Sequence, residues 1–264
     1  MDKIEICKKI RKTIRKIVLF GKDDTDKDYI GWGTAAVVND AGTLLTANHV
    51  VEKYSELSNP KIVAYGLDDV AEIEYKPKLF NVSLNINIPN IAYPLSIDLA
   101  VLIPVKEIKD IPYLELENEI ISEGADIIMA GFPDEVSPPL NFNRMLNFNH
   151  PDLLKNKNQI DIFFKVLMRL IMIKSGMVGG VQKVNLNNCT GFGKIINAEG
   201  AVYWIDNVSN HGASGGPVVN SCGKLIGIIC EKGITQQKVA NDLCFDVPSG
   251  ATMALSHQLI TWGL

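Results

Sequence analysis

Short apolar runs broken by turn residues make up most of this chain, and the pattern predicts an all-β protein. Glycine, asparagine and proline separate the runs, and these residues favour turns between strands. The run 33–38, for example, is followed by Asn39-Asp-Ala-Gly42 and then by the run 43–46, which indicates a hairpin. Many short strands of this kind are typical of a sandwich or a barrel rather than of alternating strands and helices. The predicted strands are 16–20, 33–38, 43–46, 61–65, 71–75, 99–103, 126–130, 194–197, 201–205, 217–219, 225–229 and 244–247.

Two segments have the period of an α-helix instead. Near the N-terminus the apolar residues recur at helical spacing, with lysines and arginines on the other face, and they are Ile4, Cys7, Ile10 and Ile14. Between residues 151 and 174 the apolar residues also lie mostly on one side, and Pro151-Asp152 marks a helix start. The charged segment 104–119 is expected to connect two halves of the protein.

The composition is that of an ordinary globular protein and argues against several classes of function. Of the 264 residues, 47% are hydrophobic and 21% are charged, and the net charge of −4 argues against a general nucleic-acid binder. Lys165 and Arg169 interrupt the most apolar stretch, so no membrane span is expected. Residues 1–22 are too basic throughout for a secretory signal.

The cysteines suit neither a disulfide framework nor a zinc site, because their number is odd and no CxxC spacing occurs. We expect buried thiols in a reducing compartment, and therefore a cytoplasmic protein. No metal site and no cofactor are expected. The five cysteines are Cys7, Cys189, Cys222, Cys230 and Cys244.

The segment Asn210-His-Gly-Ala-Ser-Gly-Gly-Pro217 carries the clearest chemical signal. A serine hydroxyl acts as a nucleophile only with a neighbouring base and with N–H groups that hold the oxyanion formed. Glycines on both sides of Ser214 allow a tight turn in which the N–H groups of Gly212 and Ser214 converge. Ser214 is therefore the candidate nucleophile, and Gly212 with Ser214 is the candidate oxyanion hole. The alternative is a glycine-rich turn with an incidental serine.

Four histidines could supply the base, and His49 is the candidate. It follows the predicted strand 43–46 closely, so its small and apolar neighbours can hold it at a barrel rim. The alternative for His49 is a partly buried structural histidine. We expect His150 to be solvated, His211 to point away from the serine, and His257 to lie on the surface of a last helix.

Asp98 is the candidate third member, which orients the imidazole and stabilises its charged form. It begins the segment Asp98-Leu-Ala-Val-Leu102, and a carboxylate at the start of an apolar strand lies at the edge of a core. An unpaired charge there is costly, so Asp98 needs a partner, and His49 would serve. The other aspartates lie in polar or turn-like surroundings.

Taken in chain order, these three motifs resemble those of the trypsin-like (chymotrypsin-fold) serine peptidases. Other segments are similar to strands of the HtrA/Deg and other bacterial trypsin-like peptidases, so the resemblance covers roughly residues 4–252. The resembling segments are Gly31-Trp-Gly-Thr34, Thr46-Ala-Asn-His49, Asp98-Leu-Ala-Val101, Gly212-Ala-Ser-Gly-Gly-Pro217, Leu225-Ile-Gly-Ile228 and Phe245-Asp-Val-Pro-Ser249.

The resemblance implies two six-stranded β-barrels with the active site in the cleft between them. The implied units are a helix and first strand in 1–22, a first barrel in 23–112 and a second barrel in 113–264, with an inserted helix at about 151–174. It also implies a serine endopeptidase that hydrolyses protein or peptide substrates through an acyl-enzyme. In this assignment His49 is the general base and acid, Asp98 its orienter, and Ser214 the nucleophile.

The resemblance further places Cys230-Glu231-Lys232 as the strand that pairs with the substrate backbone. Val208, Cys230 and 245–247 are implied to surround the pocket for the residue before the scissile bond. Because Val208 and Phe245 are apolar, we expect a small or medium apolar residue there. If Asp246 points inward instead, the pocket favours Lys or Arg.

Several features depart from the secreted digestive members of the family. Ala213 stands where those members carry an aspartate that locks the mature site, and no activation sequence is visible. No PDZ module is expected, since the sequence ends at Leu264. The apolar side of 151–174 either packs on the second barrel or binds a regulatory protein or a second copy of the chain.

Two other classes of function compete with the peptidase. One is a catalytically inactive peptide-binding scaffold of the same fold. The other is an α/β-hydrolase esterase, because Gly212-Ala-Ser-Gly-Gly216 also fits the nucleophile-elbow pattern. That fold needs a strand that runs into the serine and a helix after it, whereas 217–219 is predicted as a strand.

Overall fold

One α-helix and fourteen strands are the regular elements of the described residues, which are 1–67, 72–88, 91–133, 170–239 and 243–264 of the computed structural model. The helix α1 spans Lys3–Thr13, and 3₁₀-helices span Asn48–Val50, Glu52–Ser55 and His257–Gly263. The strands are β1 Ile14–Lys22, β2 Asp28–Val37, β3 Leu44–Thr46, β4 Ser58–Tyr65, β5 Ile73–Leu79, β6 Val82–Ile88, β7 Ile91–Ile97, β8 Ala100–Pro104, β9 Asp126–Gly131, β10 Met172–Gly191, β11 Lys194–Ile205, β12 Pro217–Asn220, β13 Leu225–Val239 and β14 Leu243–Ser256.

Six strands form the first barrel, which is closed, in the order β1-β2-β3-β8-β5-β4. Its interior is filled by aliphatic side chains such as Ile17, Leu45 and Leu102, all of them buried. The predicted hairpin at 39–42 is confirmed, since β2 and β3 pair antiparallel. The side chain of Asn39 closes this turn by accepting the N–H of Thr43 at 3.0 Å.

The second barrel is a ring of six strands in the order β11-β14-β13-β12-β9-β10, closed by the pairing of β10 with β11. The predicted all-β fold with two six-stranded barrels is therefore confirmed. Two strands predicted at 194–197 and 201–205 are one continuous strand, β11, in which Gly200 provides space for a neighbour. A Cβ at Gly200 would lie 2.7 Å from the side chain of Leu259, which packs there.

A β-hairpin that the sequence did not predict extends the second sheet. Strands β6 and β7 pair with each other, and β6 joins β10 through the pair Thr190 and Asn85. The predicted first barrel covered 23–112, but this hairpin within it belongs to the sheet of the second barrel. Asp98 directly follows β7, so the chain passes from the second sheet back into the first barrel at that residue.

The C-terminal part of the segment 151–174, which was predicted as a helix, is not helical. Its residues 151–169 lie outside the described residues, and Leu170 and Ile171 form no regular element. Residues 172–174 begin β10, with Met172 opposite Gly131 of β9, so a helix is wrong there. A short apolar run has no clear period, and pairing with β9 decides its conformation.

The helix α1 packs against the second barrel as well as leading into the first. Ile6 and Ile10 are buried, whereas Ile4, predicted on the same face as Ile10, is 62% exposed. The side chain of Ile6 lies 3.7 Å from the position of a Cβ at Gly223, in the turn between β12 and β13. Ile14, predicted in the helix, is the first residue of β1.

The segment between the barrels is bonded to both of them. The N–H of Leu114 donates to the carbonyl of Val37 in β2 at 2.9 Å, and the N–H of Glu117 donates to Leu225 in β13 at 2.8 Å. These bonds fix the two barrels side by side, and residues just after the end of β3 and just before the start of β12 line a common cleft.

Candidate active site

His49 lies in the short 3₁₀-helix that follows β3. Val50 and Val51 on its C-terminal side are buried, as is Ala47 before it, so the backbone is anchored in the first barrel. The side chain of His49 remains 41% exposed and faces the cleft. The expectation of a histidine held rigidly at a barrel rim therefore describes its position.

Asp98 uses both carboxylate oxygens on His49. Its Oδ1 accepts the backbone N–H of His49 at 2.8 Å, and its Oδ2 lies 2.9 Å from the ring Nδ1. The hydrogen bond that the His49 ring donates to Asp98 is the main cause of a raised pKa of His49, and the charges of Asp98, Glu52 and Glu231 act in the same direction against burial. The structure therefore brings together the predicted base and its predicted orienter.

Cys230 supports this pair from β13. Its thiol lies 3.2 Å from the backbone carbonyl of Asp98 and 3.4 Å from that of Ile228. Burial, followed by the charge of Asp98, raises the pKa of the Cys230 thiol well above its ordinary value. Cys230 is thus a neutral group that packs beneath Asp98.

Ser214 lies in a loop of tight turns. The N–H of Ala213 donates to the carbonyl of Asn210 at 3.1 Å, and the N–H of Gly215 donates to Ile229 at 2.7 Å. Gly215 has a φ of +85°, and a Cβ there would lie 1.9 Å from the carbonyl oxygen of Thr34. Only glycine fits this position, and it lets the loop lie directly on the first barrel.

Thr34 connects this loop to the first barrel, a role that the sequence did not predict. Its N–H donates to the carbonyl of Ser214 at 2.8 Å, and its Oγ1 donates to the carbonyl of Gly212 at 2.7 Å. The same Oγ1 accepts the N–H of Phe132 at 3.1 Å. Thr34 therefore fixes the carbonyls of Gly212 and Ser214, the two residues whose N–H groups are predicted to form the oxyanion hole. Contacts over 178 residues of sequence leave no local pattern, so no signal could have found them.

Replacement of Thr34 by valine should destabilise the protein and slow any reaction at Ser214. The hydroxyl is buried, and its loss leaves the Gly212 carbonyl and the Phe132 N–H without this partner, which costs about 1–3 kcal/mol per group. Urea denaturation would measure the change in the free energy of unfolding. Thr34→Ser keeps the hydroxyl and is the matched control, and a Thr34→Val variant as stable as Thr34→Ser would contradict this role.

The candidate residues share one cleft of about 670 Å³. His49, Asp98 and Ser214 line it together with residues of β13 and of the Ser214 loop. His211 also lines this cleft and is exposed. The remaining lining residues are Ser209, Asn210, Cys230, Glu231, Lys232 and Ile234.

Only some of the residues predicted to form the substrate pocket line the cleft in the described part of the chain. Cys230 and Glu231 line the cleft, whereas Val208 is half-buried beside it and its carbonyl accepts a hydrogen bond from Lys174. Phe245 and Asp246 are paired with Gln237 and Gln236 on β13, and their side chains lie outside the described part of the chain.

His257 is not among the residues that line the cleft. His257, predicted at the surface, is 1% exposed, because the 3₁₀-helix that it begins packs on the second barrel. Burial lowers the pKa of His257. His150 lies outside the described residues.

No group of three or more His, Cys, Asp or Glu side chains in the described ranges could hold a metal ion. Four cysteines are free thiols, namely Cys7, Cys189, Cys222 and Cys230. Among the helices that the structure describes, none has the length and apolar character needed to cross a membrane.

Comparison with known proteins agrees with this architecture. The chain is similar over 98% of its length to the Rv3671c protease from M. tuberculosis in its active form, with a TM-score of 0.55, 15% identity and 82% of that chain covered. It is also similar to an inactive form of the same protease, with a TM-score of 0.52, 14% identity and 91% of that chain covered. At this identity the likeness concerns the fold. A search of curated proteins gives no match.

The family assignment rests on the sequence match. The trypsin-like peptidase domain matches residues 33–228, which is more than half of the chain and contains His49, Asp98 and Ser214. The resemblance stated from the motifs is therefore confirmed, and the chain belongs to the trypsin-like peptidase family as a serine peptidase.

Proposed function

We propose that this peptidase cleaves internal peptide bonds with His49 as general base and acid, Asp98 as its orienter and Ser214 as nucleophile. The observation that supports this most directly is the double hydrogen bond between Asp98 and His49 at the rim of the cleft that Ser214 lines. With Oδ2 bound to Nδ1, the ring carries its proton on Nδ1 and leaves Nε2 free to accept one.

The reaction then proceeds in two halves. His49 takes the proton of the Ser214 hydroxyl as Oγ bonds to the scissile carbonyl carbon, and the carbonyl oxygen becomes an oxyanion. The N–H groups of Gly212 and Ser214 stabilise this oxyanion, a contribution worth about 10²–10³-fold in rate per donor. His49 gives the proton to the departing amine, which leaves the acyl-enzyme. In the second half His49 takes a proton from a water molecule that attacks the acyl carbonyl, and it returns that proton to Ser214 as the acid is released.

The substrate is expected to bind as an extended strand beside 230–232 of β13. The pairing of β13 with β14 shifts register between Ile229 and Glu231, and such irregularities next to active sites re-aim side chains. Glu231 and Lys232 both line the cleft, so that the strand offers charges of both signs near the substrate. The preference for an apolar residue before the scissile bond, with Lys or Arg as the alternative if Asp246 points inward, stays a prediction.

Of the two alternative functions, the fold excludes one and leaves the other open. The α/β-hydrolase is excluded by the fold, because β12 pairs antiparallel with both β9 and β13 directly after the serine loop. The inactive scaffold has the same fold and remains the second candidate. A cytoplasmic location and a regulatory partner or second copy at 151–174 also stay predictions.

Labelling with a fluorophosphonate separates the peptidase from the scaffold. We expect one probe per chain attached to Ser214, because the probe reacts only with a serine that a base activates. Intact-protein mass spectrometry would measure the adduct, and an unfolded protein substrate would measure cleavage. The Ser214→Ala variant should show neither. A folded wild-type protein that takes up no probe would favour the scaffold.

A further inference from the structure

Lys174 reaches from β10 to the segment that leads into the serine loop. Its ammonium group donates to the carbonyl of Val208 and, at 2.8 Å, to the side-chain Oδ1 of Asn210. Lys174 is half-buried, and burial lowers the pKa of its ammonium, with the charge of Lys232 acting in the same direction. A cation in this environment is costly, and the two acceptors offset the cost.

Asn210 connects Lys174 to the serine loop. While its side chain accepts from Lys174, its backbone carbonyl accepts the N–H of Ala213 at 3.1 Å. The turn closed by that bond contains Gly212 and leads directly into Ser214. The N–H groups of these two residues form the proposed oxyanion hole. Two bonds from one ammonium therefore fix the start of the turn on which both donors depend.

The loop has no charged group of its own at the position next to the serine. Ala213 is buried, and a Cβ at Gly131 would lie 2.5 Å from its methyl group, so the residue packs closely on β9. A crevice beneath the loop is lined by Gly131, Lys174, Asn210 and Ala213 among others. Of these four, Lys174 carries the charge, and it comes from a neighbouring strand.

We propose that Lys174 is a positioning residue whose ammonium group holds the 208–210 segment and thereby orients the Gly212 and Ser214 N–H groups toward the substrate carbonyl. This inference rests on the proposed function for its kinetic consequence. Its structural consequence, a fixed turn at 210–213, is independent of whether the protein cleaves peptides.

The test compares Lys174→Met, Lys174→Arg and the matched control Lys183→Met, which removes an exposed lysine from the same strand. Because small displacements of catalytic groups cost about 10²-fold, we expect Lys174→Met to lower kcat by about that factor with little change in KM. The oxyanion forms only after binding, so kcat carries the loss. Lys174→Arg should recover most of the rate, and Lys183→Met should match the wild type.

Amide hydrogen exchange provides a readout that does not depend on activity. In Lys174→Met the N–H of Ala213 should exchange faster, while amides of the barrel core keep their protection. Wild-type kcat together with unchanged exchange at Ala213 would overturn the proposal. So would faster exchange throughout the second barrel, because the lysine would then be merely structural. A wild-type protein without peptidase activity would count against the proposed function, while exchange at Ala213 would still decide the role of Lys174.

Discussion

Replacement of Ser214 by alanine should lower kcat for peptide hydrolysis by about 10⁶-fold, and replacement of His49 by alanine should cost nearly as much. Neither group works alone: without His49 the hydroxyl keeps its proton, and without Ser214 the base has no nucleophile to activate. The double variant should therefore be no slower than either single variant. Single-turnover rates on a fluorogenic peptide would measure the three values.

The control for these variants is Ser221→Ala, which removes an exposed hydroxyl from the turn between β12 and β13. It should retain the wild-type rate. Losses that add up in the double variant would contradict a shared step, and so would a His49→Ala variant that keeps substantial turnover.

The three candidate triad residues that line the cleft could be predicted because each belongs to a short local pattern. His49 follows a buried strand, Asp98 begins one, and the Ser214 loop is rich in glycine. The β2–β3 hairpin was also predictable, because its turn residues are adjacent in sequence. In each case the residues that carry the signal are adjacent in sequence, even where the contacts that hold them come from distant strands.

The parts that could not be predicted depend on pairing between distant segments. Strands β6 and β7 join the second sheet only through β10, and residues 172–174 become strand because β9 lies beside them. Thr34 and Lys174 act on the serine loop from two different strands. Because strand preference depends on cross-strand neighbours, local periodicity contains none of this information.

The replacement of Asp98 by asparagine should lower kcat by about 10⁴-fold, a loss of the size found for this change in other triads. Asp98 accepts two hydrogen bonds from His49, one on each oxygen. Asparagine has one acceptor and one donor, so with the backbone N–H bound its amide donates to Nδ1. The ring proton must then move to Nε2, where it blocks transfer from Ser214.

The pH profile should change together with the rate. Only neutral His49 accepts a proton, and the hydrogen bond that its ring donates to Asp98 raises the pKa of His49. The wild-type kcat/KM should therefore rise with pH through a value above the ordinary histidine pKa of about 6.5. In Asp98→Asn the charge and the acceptor are lost, so the rise should occur at lower pH.

The matched control is Glu52→Gln, which affects the pKa of His49 through charge alone. It should keep most of the rate and move the rising limb only slightly toward lower pH, since the charge of an exposed group is screened by solvent. Profiles of kcat/KM from pH 5 to 9 on one peptide substrate distinguish the two variants. An Asp98→Asn protein within tenfold of the wild type, or one whose limb coincides with that of the wild type, would show that Asp98 does not set the tautomer of His49. The two effects differ in size because of geometry: Asp98 both orients the ring and stabilises its charged form, whereas Glu52 only stabilises the charged form.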